Sequence, residues 1–127
     1  MQSSLLFSQK QECIIVTDWN AYRAHLGQSV KVLAKLSPNT LEGLQKLETV
    51  APEHKHLDDK TRELISLAVA VTTRCDGCIS VHTVAAKKAG ASKEEIAEAL
   101  GVAVALNAGA ALVYSSRALD AFDTVKD

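Results

Sequence analysis

The chain reads as an all-α protein, and three observations carry that reading. Hydrophobic residues make up 47% of the sequence and aromatics only 4%, so Ala, Leu and Val do the packing, as where helix backbones approach closely. Apolar residues recur at three- and four-residue intervals over most of the length. Helix-start signals of the Ser-Pro and Ser-x-x-Glu kinds stand in front of those stretches.

The elements follow in order. Residues 1–12 are polar and aperiodic and are expected to form a flexible N-terminal arm; residues 13–127 form one helical domain, a size one core can serve. Cys13 to Thr17 is β-branched but too isolated for a strand. Asp18 is placed to cap a helix running to about Leu36, with Tyr22, Leu26, Val30 and Leu33 on one side. Ser37-Pro38 starts a second helix with Ser as N-cap and Pro at the first position. Leu41, Leu44, Leu47 and Val50 share its face, and it stops before Pro52. Glu53 to His56 is a polar linker. Asp58 or Asp59 opens a third helix to about Thr73; apart from Ser66 it is apolar from Leu64 to Val71, which predicts burial nearly all round. The chain turns at Arg74–Gly77. A fourth helix is expected from about Asp76 to Lys88, stopped by Gly90. Ser92 and Glu95 form a capping box for a last helical stretch carrying Ile96, Leu100 and Ala103, with a break at Asn107-Ala108-Gly109 before it resumes to about Phe122.

Composition excludes several classes of function. The net charge is −1, from 14 basic and 15 acidic residues, so no basic excess points to nucleic acid or an anionic membrane. Met1 to Phe7 lacks a basic segment and a long apolar run, so no signal peptide is expected. The apolar run around Gly101–Tyr114 is interrupted by Asn107 and reads as too short to span a bilayer. Three cysteines, an odd count, argue against a secreted disulfide framework and for a reducing, cytoplasmic setting. The Ala- and Gly-rich surface between Val102 and Ser116 is too apolar to face water in a monomer, which predicts a homo-oligomer.

The chemistry concentrates at Cys75-Asp76-Gly77-Cys78 and His82. Two thiols three positions apart can close a disulfide with little backbone movement. A thiolate is the reactive form, and a free cysteine with a pKa of about 8.5 is mostly thiol at neutral pH. The predicted helix N-terminus favours negative charge on both sulfurs. Cys78 and His82 stand at i and i+4, with β-carbons roughly 5–6 Å apart, so the imidazole can serve as base for that thiol. Asp76 opposes this unless it caps the helix. These features make Cys78 the candidate to meet peroxide and become a sulfenic acid, with Cys75 condensing on it to close the disulfide. That order is the reverse of thioredoxin-like proteins. Two other readings compete. Cys75 and Cys78 are also half of a zinc site, with His82 and Cys13 as recruits, but a second cysteine pair or paired histidines is missing. They are otherwise bystanders with a satisfied histidine.

With these residues placed, the sequence resembles the alkylhydroperoxidase D (AhpD)-like branch of the carboxymuconolactone decarboxylase superfamily. The matching pattern is Glu63, Cys75, Cys78 and His82, set within Arg62 to Ala70 and His82 to Ala91. The resemblance extends over about Leu41 to Tyr114. It implies an all-α, AhpD-like helical bundle assembling as trimers or hexamers. It also implies reduction of hydroperoxides by the cysteine pair, with Glu63 as the distal member of a Glu63–His82–Cys78 proton relay. No metal or flavin cofactor is implied, and an external dithiol, thioredoxin-like or lipoyl-bearing, must reopen the disulfide. In a simple hairpin Glu63 lies about 15 Å from the turn and His82 about 9 Å, at 1.5 Å per residue, so the relay needs a crossing angle or a bridging water. Glu63 read without the resemblance is a first-turn dipole partner or half of a salt bridge. Many relatives carry an aromatic residue where this chain has Gly77. The superfamily's decarboxylases use no cysteine pair, which argues against decarboxylation here. Two rival functions share the scaffold: a thiol–disulfide exchange protein or redox sensor without significant peroxidase activity, and a non-enzymatic helical module with a structural metal.

The remaining candidates have plainer readings. Cys13 is a small apolar filler or a loose-arm thiol. His54 and His56 are solvated in a charged linker, and His25 is a surface residue of the first helix. Trp19 and Tyr22 staple that helix to the core, with either able to line the pocket.

Overall fold

A computed structural model describes residues 16–126. The expected arm over residues 1–12, and Cys13, lie outside the described residues. Five helices run in order: α1 (Trp19–Leu36), α2 (Pro38–Glu48), α3 (Asp59–Thr73), α4 (Asp76–Lys88) and α5 (Lys93–Phe122), with one 3-10 turn at Pro52–His54. Among the described residues there is no strand.

The helix starts follow their caps. Asp18 Oδ1 accepts from the backbone N–H groups of Asn20 and Ala21, and Asp58 Oδ1 accepts from Thr61 N–H at 2.7 Å. At α5 the Ser92 hydroxyl accepts from Glu95 N–H while the Glu95 carboxylate accepts from Ser92 N–H, closing the box in both directions. Ser37 departs from expectation: it stands at the N-cap of α2, but its hydroxyl pairs with that of Thr40 and leaves the helix backbone uncapped.

The α3–α4 and α4–α5 connections use one device. In each, a residue just past the helix turns left-handed, and two backbone N–H groups bond back to the last-turn carbonyls. At the second connection this residue is Gly90, φ 84°, with Ala91 N–H bonded to Ala86 C=O and Gly90 N–H to Lys87 C=O. At the first it is Arg74, φ 54°, with Cys75 N–H bonded to Ala70 C=O and Arg74 N–H to Val71 C=O. Arg74 thus closes α3, and the very next residue, Cys75, caps α4.

α3 is the hub, packing against both α4 and α5; α1 packs on α4 and carries α2. The core where they meet is small: Leu67 and Ala70 of α3, Ala86 of α4 and Ala103 of α5 are buried, together with Ser80. Alanine at three of these positions lets the backbones approach closely. Lys60 Nζ bonds Glu95 Oε1 at 2.7 Å and ties the N-terminal turns of α3 and α5.

Two further expectations fail. α3 is not buried all round: Ile65 is 49% and Val69 55% exposed, because only one stripe of the helix faces α4 and α5. The break at Asn107 is absent, and α5 runs unbroken for 30 residues. Asn107 Nδ2 donates to Ala103 C=O one turn back and to Thr72 Oγ1 on α3. The amide that was expected to compete with the helix is satisfied along it and pins α5 to α3. The apolar stretch therefore does not end at Asn107, and by length and composition alone α5 is sufficient to cross a membrane. Its first half instead lies against α3, with Ala103 in the core.

Candidate active site

The α3–α4 turn assembles the site. Because Arg74 ends one helix and Cys75 begins the next, both cysteines sit in the first turn of α4. Cys75 and Cys78 are joined as a disulfide, S–S 2.14 Å and Cα–Cα 5.2 Å. The cap of α4 is Cys75, not Asp76: Cys75 Sγ accepts from the Cys78 backbone N–H at 3.1 Å.

One turn on, His82 Nδ1 lies 2.7 Å from Glu63 Oε2. Both side chains are partly buried between α3 and α4. The crossing of the two helices makes up the offset a simple hairpin leaves, and no bridging water is required. A carboxylate only accepts, so with Glu63 ionised it is Nδ1 that carries the proton of this bond. Glu63 and His82 thus meet between α3 and α4, and Cys75 and Cys78 stand at the start of α4.

Cys78 and His82 line one cavity of about 270 Å³, with Ile65, Ser66, Val69, Ala70 and Thr73 forming its α3 wall. Cys75 is not among the lining residues. Sequence reading did not single out this wall. Its signal was the i, i+4 pair Ile65 and Val69, which presents apolar surface on the helix that also carries Glu63. A larger groove of about 390 Å³ lies on the other flank of the same two residues, between α3 and α5, walled by Val102, Leu106 and Ala110. It carries no titratable group.

The back of the cysteine turn is covered by α1. A β-carbon at Gly77 would stand 3.3 Å from Leu26 Cδ2, so Leu26 occupies the space a larger residue there would need. Arg23 Nη1 donates to the Ser80 carbonyl at 3.2 Å. Trp19 and Tyr22 meet edge to face with centroids 5.9 Å apart. Trp19 lines a separate small cavity with Arg23, Ile79, Ser80 and Thr83, not the one that holds Cys78. His25, His54 and His56 are exposed. Among the described residues no group of three or more His, Cys, Asp or Glu side chains is arranged to hold a metal ion.

Comparison with known proteins decides the family. Residues 38–121 match the carboxymuconolactone decarboxylase family. The chain belongs to that family. It is 54% identical to an uncharacterised protein of Haemophilus influenzae over 87% of this chain and 97% of that one. It is 42% identical to uncharacterised protein 4 in the cox locus of Paracoccus denitrificans, over 54% of this chain and 62% of that one. Among solved structures it is similar to the apo form of a carboxymuconolactone decarboxylase family protein from Legionella pneumophila. The TM-score is 0.65 at 34% identity, covering 83% of this chain and 94% of that one. The paired cysteines with Glu63 and His82 are consistent with the AhpD-like branch of the family.

Proposed function

We propose that this family member is a thiol-dependent peroxidase that reduces hydroperoxides through Cys78 and Cys75. The observation that carries the reading is the direct Glu63–His82 bond beside the cavity that Cys78 shares with His82. In the reduced protein, Nε2 of His82 takes the Cys78 proton, and Glu63 holds the ring in that tautomer and balances the imidazolium. The thiolate attacks the peroxide's terminal oxygen, the O–O bond breaks, and the alkoxide leaves as an alcohol with the proton from His82. Cys78 is now a sulfenic acid; Cys75 displaces its hydroxyl as water and closes the disulfide. An external dithiol, borne by a thioredoxin-like or lipoyl-bearing protein, returns the two electrons. The apolar walls suit a hydroperoxide with a hydrocarbon portion. The absence of a basic excess and the need for reducing equivalents both suit the cytoplasm. The exposed apolar surface of α5 supports assembly as a trimer or hexamer.

The test is peroxide consumption by the purified protein with a dithiol reductant. Cys78→Ser is expected to lower the rate at least a thousandfold; a variant as fast as the parent removes the mechanism. Oxidation rates by peroxide and by a protein disulfide, measured side by side, separate this activity from thiol–disulfide exchange.

A further inference from the structure

We infer that the two sulfurs have fixed and different parts when the disulfide is reopened: the reductant's thiolate attacks Cys78 Sγ, and Cys75 Sγ departs as a thiolate held at the start of α4. The inference rests on the reading that the Cys75–Cys78 pair cycles, and it adds the direction of the reductive half.

Two independent features of the site point the same way. The first is access. Cys78 lines the cavity walled by Ile65, Val69, Thr73 and His82, whereas Cys75, half-exposed like Cys78, is not part of its wall. A thiol entering there meets Cys78, with the imidazole beside it to accept the thiol's proton. The second is the fate of the displaced electron pair. Cys75 Sγ already accepts the Cys78 N–H at 3.1 Å and occupies the N-cap of a helix of 13 residues. The unpaired amide hydrogens of that first turn stabilise anionic sulfur, and exchange runs faster when the departing thiolate is the more stable one. The charged groups nearest in sequence are Arg74, which favours the anion, and Asp76, which opposes it; both are exposed.

The step balances. The reductant thiol gives its proton to His82 and its sulfur bonds to Cys78 Sγ; the Cys75–Cys78 bond breaks and Cys75 takes the pair. The reductant's second thiol then loses its proton to solvent and attacks the reductant's first sulfur in the mixed disulfide, and Cys78 leaves, recovering the proton from His82. The dithiol is oxidised by two electrons and the protein reduced by two. The same anion serves the oxidative half, where Cys75 must be the nucleophile that displaces hydroxide, protonated by solvent to water, from the Cys78 sulfenic acid. One capped sulfur is the leaving group in one direction and the attacking group in the other.

Glutathione, a monothiol, tests the order. The oxidised full-length protein is mixed with it, quenched in acid within milliseconds, alkylated and mapped by peptide mass. At least tenfold more glutathione adduct is expected on Cys78, with Cys75 carrying the alkyl group. Adduct on Cys75, or equal amounts on both, overturns the inference. A second measurement follows thiol reaction rate against pH in Cys78→Ser, which keeps the capping N–H. Cys75 is expected to titrate below the ~8.5 of a free cysteine; at or above that value the leaving-group argument fails. Neither experiment uses peroxide. Adduct on Cys78 without peroxide turnover would leave this assignment standing and remove the peroxidase.

Discussion

Glu63 bears most of what is distinctive at the level of single residues. In the proposed reaction its part is to hold a proton on Nδ1 of His82, which makes it a positioning residue. Glu63→Gln keeps the shape of the pair but removes the charge that stabilises the imidazolium. Peroxide turnover is expected to fall about ten- to a hundredfold, within the range that proton transfer by a positioned group supplies, while far-UV circular dichroism and the Cys75–Cys78 bridge stay unchanged. A fall in rate with an unaltered pH profile would make Glu63 merely structural. Gly77 makes the second residue-level argument. Leu26 fills the space where many relatives carry an aromatic ring, so Gly77→Tyr forces Leu26 aside and is expected to cost about 1–3 kcal/mol, as overpacking does. The same change made on a Leu26→Ala background should cost measurably less in a denaturant titration. Equal costs would mean that the two side chains do not compete. Sequence showed that Cys78 and His82 share a face, because i and i+4 is a property of any helix. It did not show that Glu63 reaches His82, because that contact depends on how α3 crosses α4.

At the scale of elements, the caps were legible and the irregularities were not. Ser92 with Glu95, and Asp58 before Asp59, announce helix starts through chemistry confined to four residues. The continuity of α5 through Asn107 was not legible, because the amide is satisfied partly by Thr72, thirty-five residues away. Nor was the exposure of Ile65 and Val69, since an apolar run does not say which neighbour covers it. The caps have a pH consequence. Thr61, through its side chain and its backbone N–H, holds the Asp58 carboxyl below its ordinary value; Lys60, then the Ser92 N–H, does the same for Glu95. A carboxylate whose folded pKa is depressed adds stability that is complete above its unfolded value and is lost as pH falls through the folded one. Asp58 is exposed and Glu95 half-exposed, so solvent screens both and each effect is small. Stability is expected to be flat from neutrality down to about pH 4.5 and to decline below it. Asp58→Asn combined with Glu95→Gln should flatten that decline in thermal melts taken between pH 2 and 6. An unchanged slope would place the acid sensitivity elsewhere.

The whole molecule has more surface than a solitary chain of its mass should keep. A compact monomer of 13.6 kDa exposes about 6,600 Å², and this chain exposes 11268 Å². The fifteen N-terminal residues outside the described part add at most about 2,500 Å² at the rate of an unfolded chain. Roughly 2,000 Å² remains, comparable with two standard patches of about 800 Å² each, as a subunit in a closed ring contributes. The excess is concentrated on α5, where Leu106 is 70% and Leu112 76% exposed, and in the α3–α5 groove that adjoins the Cys78 cavity through Ile65 and Val69. Only four hydrophobic side chains among the described residues are buried, a small core for a domain of this size. Covering α5 with further copies would supply the missing core and wall the redox cavity from the Ile65–Val69 side. In the proposed assembly, Leu106→Asp is expected to take the trimer or hexamer to a single 13.6 kDa species in sedimentation. Burying an unpaired carboxylate in such an interface has no compensating partner. The variant should also slow peroxide turnover, because an uncovered cavity exposes the Cys78–His82 pair to water. A parent protein that sediments as a monomer at micromolar concentration without detergent overturns the assembly. A parent that stays soluble only with detergent transfers the same apolar face to lipid, where α5 is long enough to belong.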